Sequence, residues 1–543
     1  MRPSGIVEEN QYNIGHICTA LQCARGLGDR TAFRFISAAG VRVDLSYADL
    51  DIRSSKFANI LKKLGFSRHD TFFTFLPKSP EQVVAFLGTL KLPAVAGTLF
   101  ANFGEEALLD RLGDSRARGI ITKSRFLKRI AEIRPRLPQL KYILAIDLET
   151  HQDESILSYP LLMKESSGIF DVPLTGRDTP SVLHYTSGST GKPKGVLHVH
   201  NSVVLQNHTS GHVLDLKDDD IFWCTADPGW VTGTSYGIIG PCSLGITQVS
   251  YEGGYNPQKW FRILKEENVS VWYTAPTALR MLMQEDPAIF NPADLEKVRC
   301  IFSVGEPLNP EIISWARKIL HKDIYDTYFQ TETGSIMIAN RPGLPIRPGS
   351  MGKPVETIDA AVLDDLGNAV KDKQPGNLCL KAGWASMFAA YLNNPAAYEQ
   401  KFRNGYYYTG DQAVRDQDGY FWFSARSDDV INTAGHLISP FEIESALLEI
   451  EEVAEAAVVG VPDKILFEKV VAFVKLRKES AEKEDLDLKI RLFITNKVSS
   501  IATPREIIFT DVIPKNKSGK IMRRFLRATY QGQDPGDTST MEE

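Results

Sequence analysis

The run Tyr185-Thr186-Ser187-Gly188-Ser189-Thr190-Gly191-Lys192-Pro193-Lys194-Gly195 packs hydroxyls, glycines and two lysines between apolar segments. Glycines allow a tight turn and let backbone N–H groups close on an anion. The Ser and Thr hydroxyls add donors, and Lys192 and Lys194 add positive charge. A polyphosphate requires this combination. The spacing is not Gly-x4-Gly-Lys-Ser/Thr. Gly195 to His200 alternates and is β-branched, so a strand follows where a Walker A loop would open a helix. The expectation is a phosphate clasp between two strands, because an ordinary surface turn rarely needs so many donors.

Other chemistry-bearing segments lie far apart in the chain. Lys520 falls in the basic run Pro514-Lys515-Asn516-Lys517-Ser518-Gly519-Lys520-Ile521-Met522-Arg523-Arg524, Asp411 in Tyr408-Thr409-Gly410-Asp411, and Glu332 in Gln330-Thr331-Glu332-Thr333-Gly334. Gly305-Glu306-Pro307, Arg426-Ser427-Asp428-Asp429 and Thr433-Ala434-Gly435-His436 complete the set. In content and order these motifs resemble those of the acyl-adenylate-forming enzymes, in particular the acyl-CoA synthetases that make AMP. The resemblance runs over roughly residues 10 to 528.

It implies a role for each segment. Thr186, Ser187, Gly188, Ser189, Thr190, Gly191 and Lys194 would hold the phosphates of ATP. Joining a carboxylate to AMP brings two anions together, so charge neutralisation is the main physical demand. Lys520 would meet it by bridging the carboxylate and the α-phosphate; an ammonium on a flexible stem suits a role played in one domain orientation. Asp411 would accept both ribose hydroxyls, with Arg426 reaching the ribose as well. Glu332 would help to place Mg2+ on ATP, a hard cation that takes oxygen ligands, and Thr331 would bond the α-phosphate. Gly305, Glu306, Pro307, Asp326, Thr327, Tyr328, Phe329 and Gln330 would surround the nucleotide, with Tyr328 stacking on adenine. Gly435, beside His436, would line the tunnel for the pantetheine arm of coenzyme A, leaving room for the thiol chain. Asp428 would be the hinge. Many relatives carry Arg two positions after that glycine, where Leu437 stands here. Acetylation of Lys520 would remove its charge.

Trp230, Val231 and Thr232 resemble the segment that lines the acyl pocket of acetyl-CoA synthetases, with Val304 and Gly334 as further wall. Phe329 stands where those enzymes place a second Trp and medium-chain enzymes a Gly. Phe still blocks the tunnel but leaves slightly more room. The expected substrate is a short acid of about two to five carbons, branched or hydroxylated forms included. A hydroxyl would need a buried polar partner, for which Thr232 and Ser235 are candidates. The alternatives keep adenylation but use a medium-chain or aryl acid, or a carrier protein as acceptor. A non-catalytic nucleotide-binding protein is expected to have lost Lys520, Glu332 or Asp411, and all three are present.

These residues need a frame. Strand-like segments Ile221–Ala226, Val269–Thr274, Val298–Val304 and Ile324–Phe329 alternate with helix-like Pro257–Asn268, Thr277–Gln284 and Pro310–Leu320. Such alternation implies parallel strands joined by helices. Ligands in such sheets sit outside the carboxyl ends of the strands, where the motifs fall. A second unit begins near Ala425. Ser439-Pro440-Phe441-Glu442 reads as a helix start, followed by strands Ala456–Val461 and Val470–Leu476, a helix Asp487–Val498 and a strand near Arg505–Thr510. The charged stretch Lys475 to Lys489 reads as a solvated loop and helix entry. The fold class is α/β. The resemblance implies an N-terminal domain of layered αβ sheets (residues 1–424), a hinge (425–429) and a small mobile C-terminal α+β domain (430–530), with 531–543 as a disordered tail.

Bulk properties exclude other classes. A chain of 543 residues needs about two to four domains. Apolar content of 43%, charged content of 24% and a net charge of −5 advertise neither nucleic acid nor an anionic membrane. No apolar run reaches transmembrane length, and the first residues do not read as a signal peptide. The scattered cysteines form no CxxC pair, which fits reduced thiols in a cytoplasmic protein. His198, His200, His208 and His212 lack the Cys or carboxylate partners a metal site needs. The expected ligands are a small acid, ATP, Mg2+ and coenzyme A. Relatives often form homo-oligomers, but no segment identifies an interface.

Overall fold

The computed structural model describes residues 6–7, 11–186, 193–426, 429–433, 436–463, 466–477, 483–516, 520–535 and 541. Its centre is a parallel run of strands in the order Thr31–Ile36, Thr247–Tyr251, Ile221–Cys224, Val271–Thr274, Cys300–Val304 and Ile324–Tyr328. Helices Pro257–Glu266 and Pro276–Met283 make the crossovers. Cys300–Val304 is buried throughout, as expected for a parallel strand covered on both faces. The predicted helix from Pro310 is α-helical only to Trp315. It then widens through Ala316–Leu320 and stops at His321, which is left-handed with φ 53°. Beyond Ile324–Tyr328 the sheet continues antiparallel through Ile338–Ala339, Ser350–Pro354, Phe421–Arg426, Tyr406–Arg415, Pro375–Lys381 and Ala360–Leu363.

A second sheet holds the strands that flank the donor-rich run. Pro180–Thr186 and Lys194–Val199 are antiparallel, with Thr186 opposite Lys194. This is the predicted strand–loop–strand arrangement; the loop itself, Ser187 to Lys192, lies outside the described residues. Pro180–Thr186 also pairs in parallel with Val95–Leu99, which leads to Thr71–Phe75, Gly119–Thr122, Tyr142–Ala145 and Ile156–Ser158. Helix Ser202–His212 supplies Val203 and Val204 to one apolar core and Leu205 to another.

A third sheet uses strands only between residues 431 and 509: His436–Ile438, Ile431–Thr433, Phe467–Leu476 and Val453–Asp463, with Glu506–Phe509 added to Phe467–Leu476. Helices Pro440–Leu448 and Lys483–Lys497 pack on one apolar cluster of this unit. Helix Arg523–Gln531 packs on the other. Ser439 caps its helix as predicted, accepting from Glu442 N at 3.3 Å. Lys475 lies in strand Phe467–Leu476, within the predicted strand Val470–Leu476, and stands opposite Glu455 at 3.2 Å. Residues 478–482 and most of the tail, 536–540 and 542–543, lie outside the described residues, while Met541 bridges Asn516. All six cysteines are free thiols. No described helix is long and apolar enough to cross a membrane.

Candidate active site

A cavity of about 970 Å³ opens at the carboxyl ends of the central parallel strands. One wall carries Val304 to Pro307 and Asp326 to Glu332, another carries Thr186 and Lys194, and Lys515, Lys520 and Arg523 of the third-sheet unit close the far side. Trp230, Val231, Thr232, Asp411 and Arg426 also line it. Residues scattered over more than three hundred positions thus share one space.

Asp411 is 3% exposed and held on several sides. Oδ2 accepts from the Tyr328 hydroxyl at 2.6 Å and from Gln330 Nε2 at 2.7 Å. Gln330 is itself fixed, donating to Thr409 O at 3.1 Å and accepting from the Tyr407 hydroxyl at 2.9 Å. Arg426 Nε stands 3.3 Å from Oδ1, yet Oδ1 is buried with no hydrogen bond among the described residues. Such an orphaned lone pair is costly unless a ligand donor fills it, and a ribose hydroxyl is such a donor. Burial and the adjoining Asp411 carboxylate push the Tyr328 phenol well above its ordinary pKa, so it stays a donor. Tyr328 therefore orients Asp411 as well as presenting a face to the cavity.

The Thr331-Glu332 loop is fixed from behind. His198 Nε2 lies 2.8 Å from the Thr331 carbonyl, which can only accept, so this nitrogen carries the proton. Burial pulls the His198 pKa down to about 4. Trp384 Nε1 and Ser386 Oγ both donate to Thr333 O, at 3.0 and 2.6 Å. Gly334 adopts φ +69°, and a Cβ there would lie 2.6 Å from Ser386 O. Gly334 shapes the loop from outside the lined cavity. Glu332 faces the cavity and accepts from the Tyr391 hydroxyl at 2.7 Å. Among the described residues no cluster of three His, Cys, Asp or Glu side chains could hold a metal. One carboxylate facing the same cavity as Thr186 and Lys194 fits Mg2+ bound chiefly by phosphate oxygens and water.

Lys520 reaches the cavity from the third-sheet unit. Burial and the Arg426 guanidinium lower its pKa, while Asp411 and Asp429 oppose that shift. Its backbone is pinned, with Lys520 N donating to Asn516 Oδ1 at 3.0 Å. Glu306 is less free than its place in the slot suggests. Its carboxylate pairs with Arg280 and accepts from Thr277 Oγ1 at 2.6 Å. Asp326 and Thr327 are buried: burial pushes the Asp326 carboxyl well above the carboxylate range, and Thr327 Oγ1 donates to Ser303 O at 2.7 Å.

Aromatic side chains line the part of the cavity that the resemblance assigns to the acyl group. Phe329 meets Tyr236 edge-on, 5.5 Å between centroids, and Trp230 meets Phe100 at 4.9 Å. Tyr236 is immobilised by Thr209 and by Ile336 N, both at 2.7 Å, so Phe329 rests on a rigid backing. Thr232 lines the cavity. Ser235 does not serve as the second candidate partner for a hydroxyl, because its Oγ already donates to Gly334 O at 3.0 Å and accepts from Gln206 at 2.9 Å. His436 is exposed away from the cavity, and Asp428 and Gly435 lie outside the described residues. Tyr391, Lys401 and Arg280 line the cavity without having been singled out from sequence. No local motif marks them; Tyr391 arrives through antiparallel pairing with Val196.

The model of the AMP-binding enzyme family matches residues 21–392, and that of the AMP-binding enzyme C-terminal domain matches residues 442–520. The chain belongs to the AMP-binding enzyme family and has the adenylate-forming α/β fold, with a large N-terminal and a small C-terminal domain. An acetyl-coenzyme A synthetase of Bacillus subtilis is 44% identical over 92% of this chain and 87% of its own length. That of Pyrobaculum aerophilum is 37% identical over 92% and 79%. An anthranilate CoA ligase solved with anthranoyl-AMP superposes with TM-score 0.88 at 29% identity, covering 97% of this chain and 99% of that one.

Proposed function

We propose that the protein is an AMP-forming acid–CoA ligase acting on a short carboxylic acid. The acid's carboxylate oxygen attacks the α-phosphorus of ATP, the α–β phosphoanhydride bond breaks, and pyrophosphate leaves. The coenzyme A thiolate then attacks the acyl carbon, and AMP leaves with the bonding pair. The observation that carries this reading is the meeting of the Lys520 ammonium with Asp411 and Arg426 at one cavity, although their chain positions are far apart. Asp411 offers its open Oδ1 to the ribose, Thr331 and Lys194 face the phosphates, and Lys520 offsets the repulsion between carboxylate and α-phosphate. Glu332 would hold Mg2+, which supplies charge neutralisation on the phosphate oxygens. The division at residues 425–429 would let the C-terminal unit turn between the two steps.

Phe329 and its Tyr236 backing close the acyl end and support an acid of about two to five carbons. The decisive experiment follows AMP and pyrophosphate release over acetate, propionate, butyrate, isobutyrate, octanoate and benzoate, with and without coenzyme A. Acid-dependent pyrophosphate with thioester formation is expected, strongest on the short acids. Dominant octanoate or benzoate turnover would replace the short-acid reading, and no acid-dependent pyrophosphate would end the ligase reading. Acetylation at Lys520 would silence adenylation; full activity of the acetylated protein would refute this.

A further inference from the structure

Asn309 begins helix Pro310–Trp315, a position where an Asn side chain ordinarily accepts from its own helix's first N–H groups. Here it makes no such bond. The amide is 3% exposed and is engaged at both ends elsewhere. Oδ1 accepts from Arg280 Nη1 at 3.2 Å, and Nδ2 donates to Ser445 Oγ at 2.8 Å. Arg280 also pairs with Glu306, the slot residue that lines the cavity. Ser445 sits on helix Pro440–Leu448. Its neighbour Glu444 holds Arg523 through bonds of 2.6 and 2.8 Å, and Arg523 follows Lys520 by three residues. Polar contacts therefore run from Glu306 through Arg280 and Asn309 to Ser445, on the helix whose preceding residue, Glu444, pairs with Arg523 near Lys520.

We infer that Asn309 is a positioning residue that couples occupancy of the nucleotide slot to docking of the C-terminal unit in the orientation that brings Lys520 into the cavity. A nucleotide against Gly305 to Pro307 steadies Glu306. Glu306 sets the Arg280 fork, and the fork fixes which way the Asn309 amide faces Ser445. The inference rests on the proposed ligase chemistry. The Lys520 charge is needed when two anions meet, in adenylate formation. Displacement of AMP by a thiolate places no such demand on this docking. Loss of the Asn309–Ser445 bond should therefore fall on the first half-reaction.

The test compares Asn309→Ala, Ser445→Ala and the double variant in two assays: acid-dependent pyrophosphate–ATP exchange with propionate, and thioester formation from supplied propionyl-adenylate and coenzyme A. Each single variant is expected to lower exchange about 3- to 10-fold, the range one hydrogen bond supplies, with the second assay little changed. The double variant should fall no further than the singles. Energy transfer between dyes on exposed positions of the two units gives a readout independent of the acid. ATP should raise the docked fraction in the wild type and do so less in the variants. Equal losses in both half-reactions, no loss in either, or an ATP response of docking unchanged by the substitutions would overturn the inference. A wild type without acid-dependent exchange would instead strike the ligase reading, and the docking measurement alone would then decide the coupling.

Discussion

Asp411 is prepared as an acceptor before any ligand arrives, since Tyr328 and Gln330 saturate one oxygen and the other, 3.3 Å from Arg426 Nε, accepts no hydrogen bond among the described residues. Asp411→Asn keeps the volume but removes the charge and turns a donor toward donors. The ATP KM should rise about 10- to 100-fold, the scale of a hydrogen bond to a charged group, as read by ATP titration at saturating acid. Lys520→Ala should slow adenylate formation about 100-fold or more while sparing thioester formation from supplied adenylate; single-turnover assays of each half-reaction check this. At the acyl end, Phe329→Gly should shift preference toward longer acids. Each newly accommodated methylene is worth about 0.8 kcal/mol, or roughly fourfold in kcat/KM, measured from propionate to octanoate. These residues were legible in sequence because short motifs carry their chemistry. The commitments of Glu306 to Arg280 and of Ser235 to Gly334 were not, since each partner is many residues distant.

The proposed acyl pocket would depend on one short element, helix Val231–Thr234, which turns directly over the Asp227-Pro228 segment. A Cβ on Gly233 would lie 2.2 Å from Asp227 O and 2.6 Å from Pro228 N, both backbone atoms that cannot swing aside. Gly233→Ala should destabilise the fold by about 1–3 kcal/mol, as overpacking does, and raise the KM for the acid more than the KM for ATP. Thermal midpoints and paired titrations would show this. Periodicity placed the parallel strands and crossover helices within a few residues, because backbone preference and burial act locally. The widened turn after Trp315 escaped it, as did the antiparallel continuation of the central sheet beyond Tyr328. Both arise from packing and pairing that no local window contains.

Three buried histidines weaken the molecule as pH falls, against the buried Asp326 carboxyl, whose raised pKa acts with the opposite sign. Burial pulls His184 and His200 down to about 3 and His198 to about 4. In the unfolded chain each has an ordinary pKa near 6.5, roughly. Below that value the unfolded state binds protons that the native state refuses, so stability is full above about pH 6.5 and is lost as pH falls toward the folded values. The slope is about 1.4 kcal/mol per pH unit for each histidine. Denaturation midpoints at pH 7, 6 and 5 should fall steeply, and His200→Gln should flatten the trend although it weakens the acceptor now serving Ile14 N at 3.0 Å.

The sequence by itself determined the chemical inventory: a run rich in glycines and hydroxyls, the carboxylates of Asp411 and Glu332, the ammonium of Lys520, and the α/β alternation that carries them. Functional groups and short-range backbone preferences are written locally, so a single chain suffices to read them. Only the tertiary structure decided which groups are already engaged and which are open. It brought Tyr391 to Glu332, left Asp411 Oδ1 with only an ion pair to Arg426 among the described residues, and turned Asn309 away from its own helix toward Ser445. Those outcomes depend on strand register and on packing between units remote in sequence, which no local pattern encodes.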